Sequence, residues 1–262
     1  MSQQAVLRNV DARGVATVTL NRPDVNNAYD ETLIQGLHDA MDELGRHPGL
    51  RVVVLRGAGK HFQAGADLKW ITRVAGQSAQ ENERVSRATA TAVHRLNTLP
   101  VPTVALVQGG CFGGGTGIVA ACDVVIAADN AMFSIAETRW GFTAAIILPQ
   151  LADAIGARQV RRYALTGERF GADEARRIGL VHEVVPLAEL QAAGERLVAQ
   201  LLQNAREANA QTKQAALEFA WGAIDDAVLG RLSAQHAAKR RSAEATEGLA
   251  SFVEKRPARW AG

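Results

Sequence analysis

Phe62-Gln63-Ala64-Gly65-Ala66-Asp67-Leu68 and the later Gly109-Gly110-Cys111-Phe112-Gly113-Gly114-Gly115-Thr116-Gly117 are two segments that offer backbone rather than side chain to their surroundings. Small residues let main-chain N–H and C=O groups come close to a bound group, because no side chain stands in the way. Either segment alone would also suit a tight turn. The pair carries more weight, because each follows a short strand-like run and leads towards a helix-like one.

Working outward, residues 51–56 (RVVVLR) read as a buried strand stopped by Gly57, just before the first segment. Thr103 to Val107, set off by Pro100 and Pro102, reads as a strand before the second. Upstream, the β-branched run 15–20 is a strand ended by Asn21-Arg22-Pro23. Asp30 is placed to cap a helix whose buried face is Leu33, Leu37, Ala40, Met41 and Leu44. A second amphipathic helix is expected over 81–98, with Val85, Ala88, Ala92, Val93 and Leu96 on one face. Short strands are expected at 124–127 and 132–134. From Ala152 the pattern turns helical, with helices at 157–165, 172–178, 187–204 and 208–229 and a last one ending at Val253. No Ser/Pro/Gly linker, repeat or low-complexity tract interrupts the chain. The reading is an α/β domain over 1–195 and a helical region over 196–262 that packs on it or on neighbouring subunits.

Composition narrows the function classes. With 47% hydrophobic and 21% charged residues the 262-residue chain has ample material for a core. A formal charge of +2 leaves no basic block except Lys239-Arg240-Arg241, read as a solvated helix face rather than a nucleic-acid patch. No apolar run reaches the ~18 residues of a membrane span. The start Met1-Ser2-Gln3-Gln4 lacks the features of a signal peptide, and a cytoplasmic protein is expected. Cys111 and Cys122 form neither a disulfide framework nor a metal motif, and the six histidines are scattered, so no metal is expected.

Three motifs are set aside. Gly57-Ala58-Gly59-Lys60-His61 has the wrong spacing for a P-loop, and no Gly-x-Ser-x-Gly elbow exists. Gly115-Thr116-Gly117-Ile118-Val119-Ala120, with Glu137 further on, fits the loose dinucleotide pattern. It begins eight residues past Val107, however, and leaves barely two turns of helix before Asp123, too little for a crossover.

The two glycine segments in tandem resemble the signatures of the crotonase (enoyl-CoA hydratase/isomerase) superfamily, the first through Phe62 to Leu68 and the second through Gly109 to Cys122-Asp123. Three further stretches agree in order: Asn21-Arg22-Pro23 with Asn27-Ala28, then 175–185 (ARRIGLVHEVV), then Phe252-Val253-Glu254-Lys255-Arg256. The resemblance implies an α/β fold, a spiral of β-β-α repeats followed by a C-terminal helical trimerisation region. It also implies homo-trimers commonly paired into hexamers. The implied substrate is an acyl-CoA thioester, with no cofactor beyond the CoA that the substrate carries. The implied oxyanion donors are the N–H groups of Ala66 and Gly114. Chemistry at the α and β carbons of a thioester builds negative charge on its carbonyl oxygen, and fixed donors stabilise that charge without reorganisation. The short helix after the second segment would turn its positive end to the same charge. The same resemblance lays CoA along Ala64, Ala66 and Leu68 at the adenine and along Val25 and Ala28 at the pantetheine. Lys255 would reach the nucleotide phosphates of a neighbouring subunit.

Hydratases of this superfamily typically use two glutamates. Glu137 stands at the second position, but Gly117 stands where the first is expected. Hydration then rests on Glu137 as the acid and base, and the glycine is expected to open space beside the β-carbon for a branch. This combination resembles hydratases of branched glutaconyl thioesters, isohexenylglutaconyl-CoA of acyclic terpene breakdown and 3-methylglutaconyl-CoA of leucine breakdown. Arg139 would then neutralise a distal carboxylate, and Trp70, Trp140 and Phe142 would line the acyl group. Two other functions are open: a double-bond isomerase, which needs only one carboxylate, and a non-catalytic homologue that binds CoA or RNA.

Overall fold

The structure, a computed structural model, describes residues 4–219 and 242–260. Its main sheet holds β1 (Val6–Val10), β2 (Val15–Leu20), β3 (Val52–Gly57), β4 (Thr103–Val107), β6 (Val124–Ala128) and β9 (Glu183–Val185), side by side in that order. β1 runs antiparallel to β2, and the remaining neighbours are parallel. A small second sheet orders β5 (Gly110–Phe112), β7 (Met132–Ser134) and β8 (Phe170–Gly171).

The inner strands are apolar on both faces, as a covered parallel sheet requires. Side chains alternate along each strand. Ala16, Val18, Val53, Leu55, Ala105 and Val107 therefore point into the larger core cluster. Val15, Val52, Val54, Val104 and Leu106 point the other way, to Leu190, Ala193 and Val198 of α7 (Leu190–Leu202). On the first side lies α1 (Glu31–Gly45), which buries all five face residues expected of it. Its cap is also as expected, with Asp30 Oδ1 accepting from Leu33 N–H at 3.0 Å.

The site is positioned by a recurring unit. β4 leaves the main sheet, β5 joins the small one, and α4 (Gly114–Ala120) turns back. β6 and β7 repeat the path before α5 (Leu148–Thr166). β3 does the same in reduced form. After it, Gln63 alone bridges in parallel to Cys111, and α2 (Leu68–Ala75) follows. Both glycine segments thus emerge from the same edge of the main sheet, beyond the carboxyl ends of β3 and β4. This is the spiral of β-β-α units.

Some details differ from the sequence reading. β8 and β9 fall in gaps of the stretch expected to be dominated by helix; β9 pairs with β6 as an edge strand too short to show a period. β1 and α2 were not legible, and the second amphipathic helix is α3 (Ala79–Asn97). α5 begins well before residue 157 and bends at Gly156, whose φ of 74° departs from the helix. The expected helix at 172–178 is α6 (Ala172–Arg177). Residue 195, where the two regions were divided, lies inside α7. Beyond it come α8 (Arg206–Phe219) and α9 (Ala243–Glu254). Residues 220–229 of the expected long helix and the Lys239-Arg240-Arg241 tripeptide lie outside the described residues. α8 is fastened to the sheet by Lys213 Nζ, which donates to Asp123 at 2.8 Å and to Val101 O at 3.2 Å. No helix among the described residues is long and apolar enough to cross a membrane.

Candidate active site

Gln63 joins the two glycine segments, although its position in the first motif is nominally free. It is fully buried. Its N–H donates to Gly110 O at 3.1 Å and its C=O accepts from Phe112 N–H at 2.9 Å. Its amide turns back on its own segment: Oε1 accepts from Gly65 N–H at 2.9 Å and Nε2 donates to Gly65 O at 3.2 Å. Gly115 has to be glycine for this packing, since a Cβ there would lie 2.6 Å from Gln63 Oε1.

Asn27 and Arg22 brace the other side of the first segment. Buried Asn27 donates to Ala58 O and His61 O, both at 2.8 Å, and accepts from Arg22 N–H at 2.8 Å. The Arg22 guanidinium reaches Asp30 at 2.9 Å and Asp67 at 3.3 Å and also donates to Ala28 O. Asp67 in turn caps α2 through Lys69 N–H at 3.0 Å and Trp70 N–H at 3.3 Å. The Asn-Arg-Pro and Asn-Ala motifs therefore hold a loop in shape.

Within this frame the N–H groups of Gly65 and Asp67 are taken up by Gln63 Oε1 and Tyr29 O, while that of Ala66 between them has no protein acceptor among the described residues. Gly114, the first residue of α4, likewise has no acceptor for its N–H, whereas Gly113 N–H goes to Ser134 O at 2.9 Å. The chain turns into α4 through Gly113 at φ 51°, a left-handed conformation suited to glycine. A Cβ on Gly113 would lie 3.0 Å from Glu137 Oε1 and 3.9 Å from Gly65 Cα. The Glu137 carboxylate therefore borders the second glycine segment, and Gly65 of the first lies on the same side of Gly113.

Glu137 opens a short 3-10 turn (Glu137–Trp140) held on α5 by Thr138 Oγ1 donating to Ala164 O at 2.8 Å. Its Oε2 is buried with no hydrogen-bond partner, and it makes no ion pair with Arg139. Burial raises its pKa above the ordinary carboxylate range, against a smaller lowering by its own N–H. A carboxyl shifted in this direction is better suited than an unperturbed one to take and return a proton.

Gly117 is buried, and its surroundings overturn one expectation. A Cβ there would lie 2.5 Å from Cβ of the buried Ile147 and closer still to Cγ2. The absent glutamate leaves no space beside it, because Ile147 fills the position.

A small apolar pocket opens beside Gly114. It is lined by Tyr29, Leu33, Ile34, Leu37, Thr89, Ala92, Val93, Gly114, Ile118 and Ile147. Trp70, Trp140 and Phe142, expected to line the acyl group, and Arg139, expected at its distal carboxylate, are not among these. Trp70 is buried with Ile34 and Val74 and backs Tyr29 edge-on, with ring centroids 5.7 Å apart. Exposed Arg139 lies over Gly167 at the end of α5. Trp140 and Phe142 are 68% and 48% exposed. Of the residues expected along CoA, Val25 and Leu68 are exposed, Ala64 and Ala66 are partly so, and Ala28 is buried. Lys255 follows α9 with a φ of 52°. Gln63, Tyr29 and Ile147 are the residues that sequence reasoning missed.

Two open backbone N–H groups on glycine-rich turns, with the partly buried Glu137 carboxylate beside the second, define a site equipped for charge on a carbonyl oxygen and for proton transfer next to it. The profile of the family described as enoyl-CoA hydratase/isomerase matches residues 11–262, and the chain belongs to this family. It is similar to the hydroxycinnamoyl-CoA hydratase-lyase of Pseudomonas fluorescens, with 38% identity over 72% of this chain and 70% of that protein. It is also similar to the mitochondrial Delta(3,5)-Delta(2,4)-dienoyl-CoA isomerase of Dictyostelium discoideum, with 32% identity over 95% and 88% of the two chains. Among solved structures, Pseudomonas aeruginosa AtuE superposes with a TM-score of 0.94 at 36% identity, covering 98% of this chain and 100% of that one. Enzymes of the family act on CoA thioesters.

Proposed function

We propose that the protein is a hydratase that adds water across the double bond of a 2-enoyl-CoA, with Glu137 as its one acid and base and the N–H groups of Ala66 and Gly114 as its oxyanion donors. The observation that carries this reading is the Glu137 carboxylate, which borders Gly113 and has a buried oxygen without a partner. Glu137 takes a proton from water as oxygen bonds to the β-carbon. Charge moves to the thioester oxygen, where each donor of this kind typically contributes roughly 100- to 1000-fold in kcat. The proton then passes from Glu137 to the α-carbon.

Branched glutaconyl thioesters, isohexenylglutaconyl-CoA and 3-methylglutaconyl-CoA, are the proposed substrates. Glycine at 117 with Glu137 retained supports this choice. Arg139, with no ion-pair partner among the described residues, is the cation proposed for the distal carboxylate. The branch does not lie at Gly117, where Ile147 stands. Val25, Ala28, Ala64, Ala66 and Leu68 are proposed to carry CoA. Lys255 is proposed to act on a neighbouring subunit of a homo-trimer or hexamer.

Isomerisation of an enoyl-CoA double bond is the second reading, favoured by one specific observation. Among the described residues the site has a single carboxylate, and Ile147 fills the space beside Gly117. Incubation with crotonyl-, 3-methylglutaconyl- and isohexenylglutaconyl-CoA, with products identified by mass, separates the two. Gain of one water on a branched thioester is expected. A product of unchanged mass with a shifted double bond would replace the hydratase reading by the isomerase one.

A further inference from the structure

The two glycine segments meet at Tyr29. Its N–H donates to Gly65 O at 2.9 Å and its C=O accepts from Asp67 N–H at 2.9 Å, so its backbone pairs on either side of Ala66. Its ring covers the second segment, since a Cβ on Gly114 would lie 2.7 Å from Tyr29 Cε1. Trp70 holds another side of the ring. Backbone and ring are therefore fixed, and the direction of the hydroxyl is fixed with them. That hydroxyl has no hydrogen-bond partner among the described residues.

Glu137 and Tyr29 stand on neighbouring glycines. Oε1 of Glu137 is against Gly113 and the Tyr29 ring is against Gly114, and successive Cα atoms are only about 3.8 Å apart. A buried oxygen of Glu137 has no partner, and the Tyr29 hydroxyl has none among the described residues, which calls for a further polar species beside them. The two here are complementary, because a carboxylate only accepts and a phenol can donate. A water oxygen between them would give a hydrogen to Glu137 and accept one from Tyr29.

We propose that Tyr29 is a substrate-contacting residue whose hydroxyl, together with Glu137, holds the oxygen that becomes bonded to the β-carbon: water before reaction, the 3-hydroxyl of the product after it. This rests on the hydratase reading above. It supplies a second hold on that oxygen where Gly117 and Ile147 offer none. As the oxygen–carbon bond forms, Glu137 takes one proton of the water and the π pair moves through the α-carbon to the thioester oxygen. The enolate then collapses as Glu137 gives its proton to the α-carbon. Tyr29 keeps its own proton throughout, nothing is oxidised or reduced, and the net change is addition of one water. Burial, and then the charge of Glu137, push the phenol pKa up to about 12, which keeps it a donor.

The test uses two ligands that differ only in the hydroxyl, 3-hydroxybutyryl-CoA and butyryl-CoA, titrated by calorimetry into the full chain. Wild type is expected to prefer the hydroxylated ligand. Tyr29→Phe should narrow that preference roughly fivefold to tenfold, the worth of one hydrogen bond, with butyryl-CoA affinity and thermal midpoint unchanged. Glu137→Gln should narrow it as well. An unchanged ratio in Tyr29→Phe, with both ligands bound, overturns the role of Tyr29 and leaves the hydratase reading standing. Failure of wild type to bind either ligand overturns the thioester reading itself.

Discussion

Ile147 stands where a side chain on Gly117 would have to go: a Cβ on Gly117 would lie 2.5 Å from Ile147 Cβ. The space that a side chain at position 117 would need is therefore already filled. A carboxylate introduced there alone should not give a two-carboxylate site. Gly117→Glu should destabilise the fold by about 3 kcal/mol through overpacking and a buried charge. Combined with Ile147→Ala, the pair should cost less than the sum of the single changes by at least about 1 kcal/mol. Urea unfolding of the four proteins checks this. Additivity would mean that the two positions do not compete for space.

Gln63 offers a test of how the two candidate donors are held together. Gln63→Ala leaves Gly65 N–H without its acceptor, at a cost of about 1–3 kcal/mol. Loss of registration between Ala66 and Gly114 should lower kcat by roughly 100-fold, since positioning errors of an ångström have effects of that size. The affinity for CoA itself should change little. Steady-state kinetics and CoA titration check the split. A change in affinity with intact kcat would make Gln63 a binding residue only.

What could be read from the sequence was local. The Asp30 cap, the buried face of α1 and the glycine segments depend on residues close together in the chain. Gly117 was recognisable as a departure, but its consequence depends on Ile147, far along the chain and brought in by the turn before α5. Tyr29 was invisible for the same reason. It reads as one more apolar position before α1, and only its pairing on either side of Ala66 sets its ring on Gly114. Trp70 misled because an aromatic beside a ligand loop suits a ligand wall, whereas α2 turns it into the cluster behind Tyr29. β8 and β9 are too short, at 2 and 3 residues, for any period to emerge.

Glu137 makes stability and activity depend on pH in opposite senses. Burial raises its folded pKa above the unfolded value, so the folded chain binds the proton more tightly. Stability from this group is then greatest below the ordinary carboxylate range of about 4.3. It declines as pH rises through the window up to the folded pKa, and the penalty stays constant above it. Glu137→Gln should therefore be more stable than wild type at neutral pH, and the difference should shrink as pH falls through that window. On the proposed mechanism activity needs the carboxylate as base, so kcat/KM of wild type should fall on the acid side with an apparent pKa raised above the ordinary value of about 4.3. Unfolding curves and a rate profile over the same buffers test both signs.

Asp123 anchors the helical C-terminal part to the sheet. It accepts from Thr103 N–H at 2.7 Å and Thr103 Oγ1 at 2.9 Å as well as from Lys213. The Lys213 side chain is only 10% exposed. Asp123→Ala strands that cation and should cost about 3 kcal/mol. Lys213→Met leaves Asp123 with its Thr103 donors and should cost about 1 kcal/mol. Equal losses, measured by denaturant unfolding, would mean that the join does not depend on the pair.

In the proposed mechanism one carboxylate, Glu137, performs the hydration with two backbone donors. The most direct measurement follows loss of the conjugated enoyl-thioester absorbance with wild type and Glu137→Gln, on whichever thioester of the panel wild type turns over fastest. Wild type should add water, and Glu137→Gln should bind the same thioester with similar affinity while kcat drops by at least roughly 100-fold. Near-normal hydration by Glu137→Gln would contradict the account.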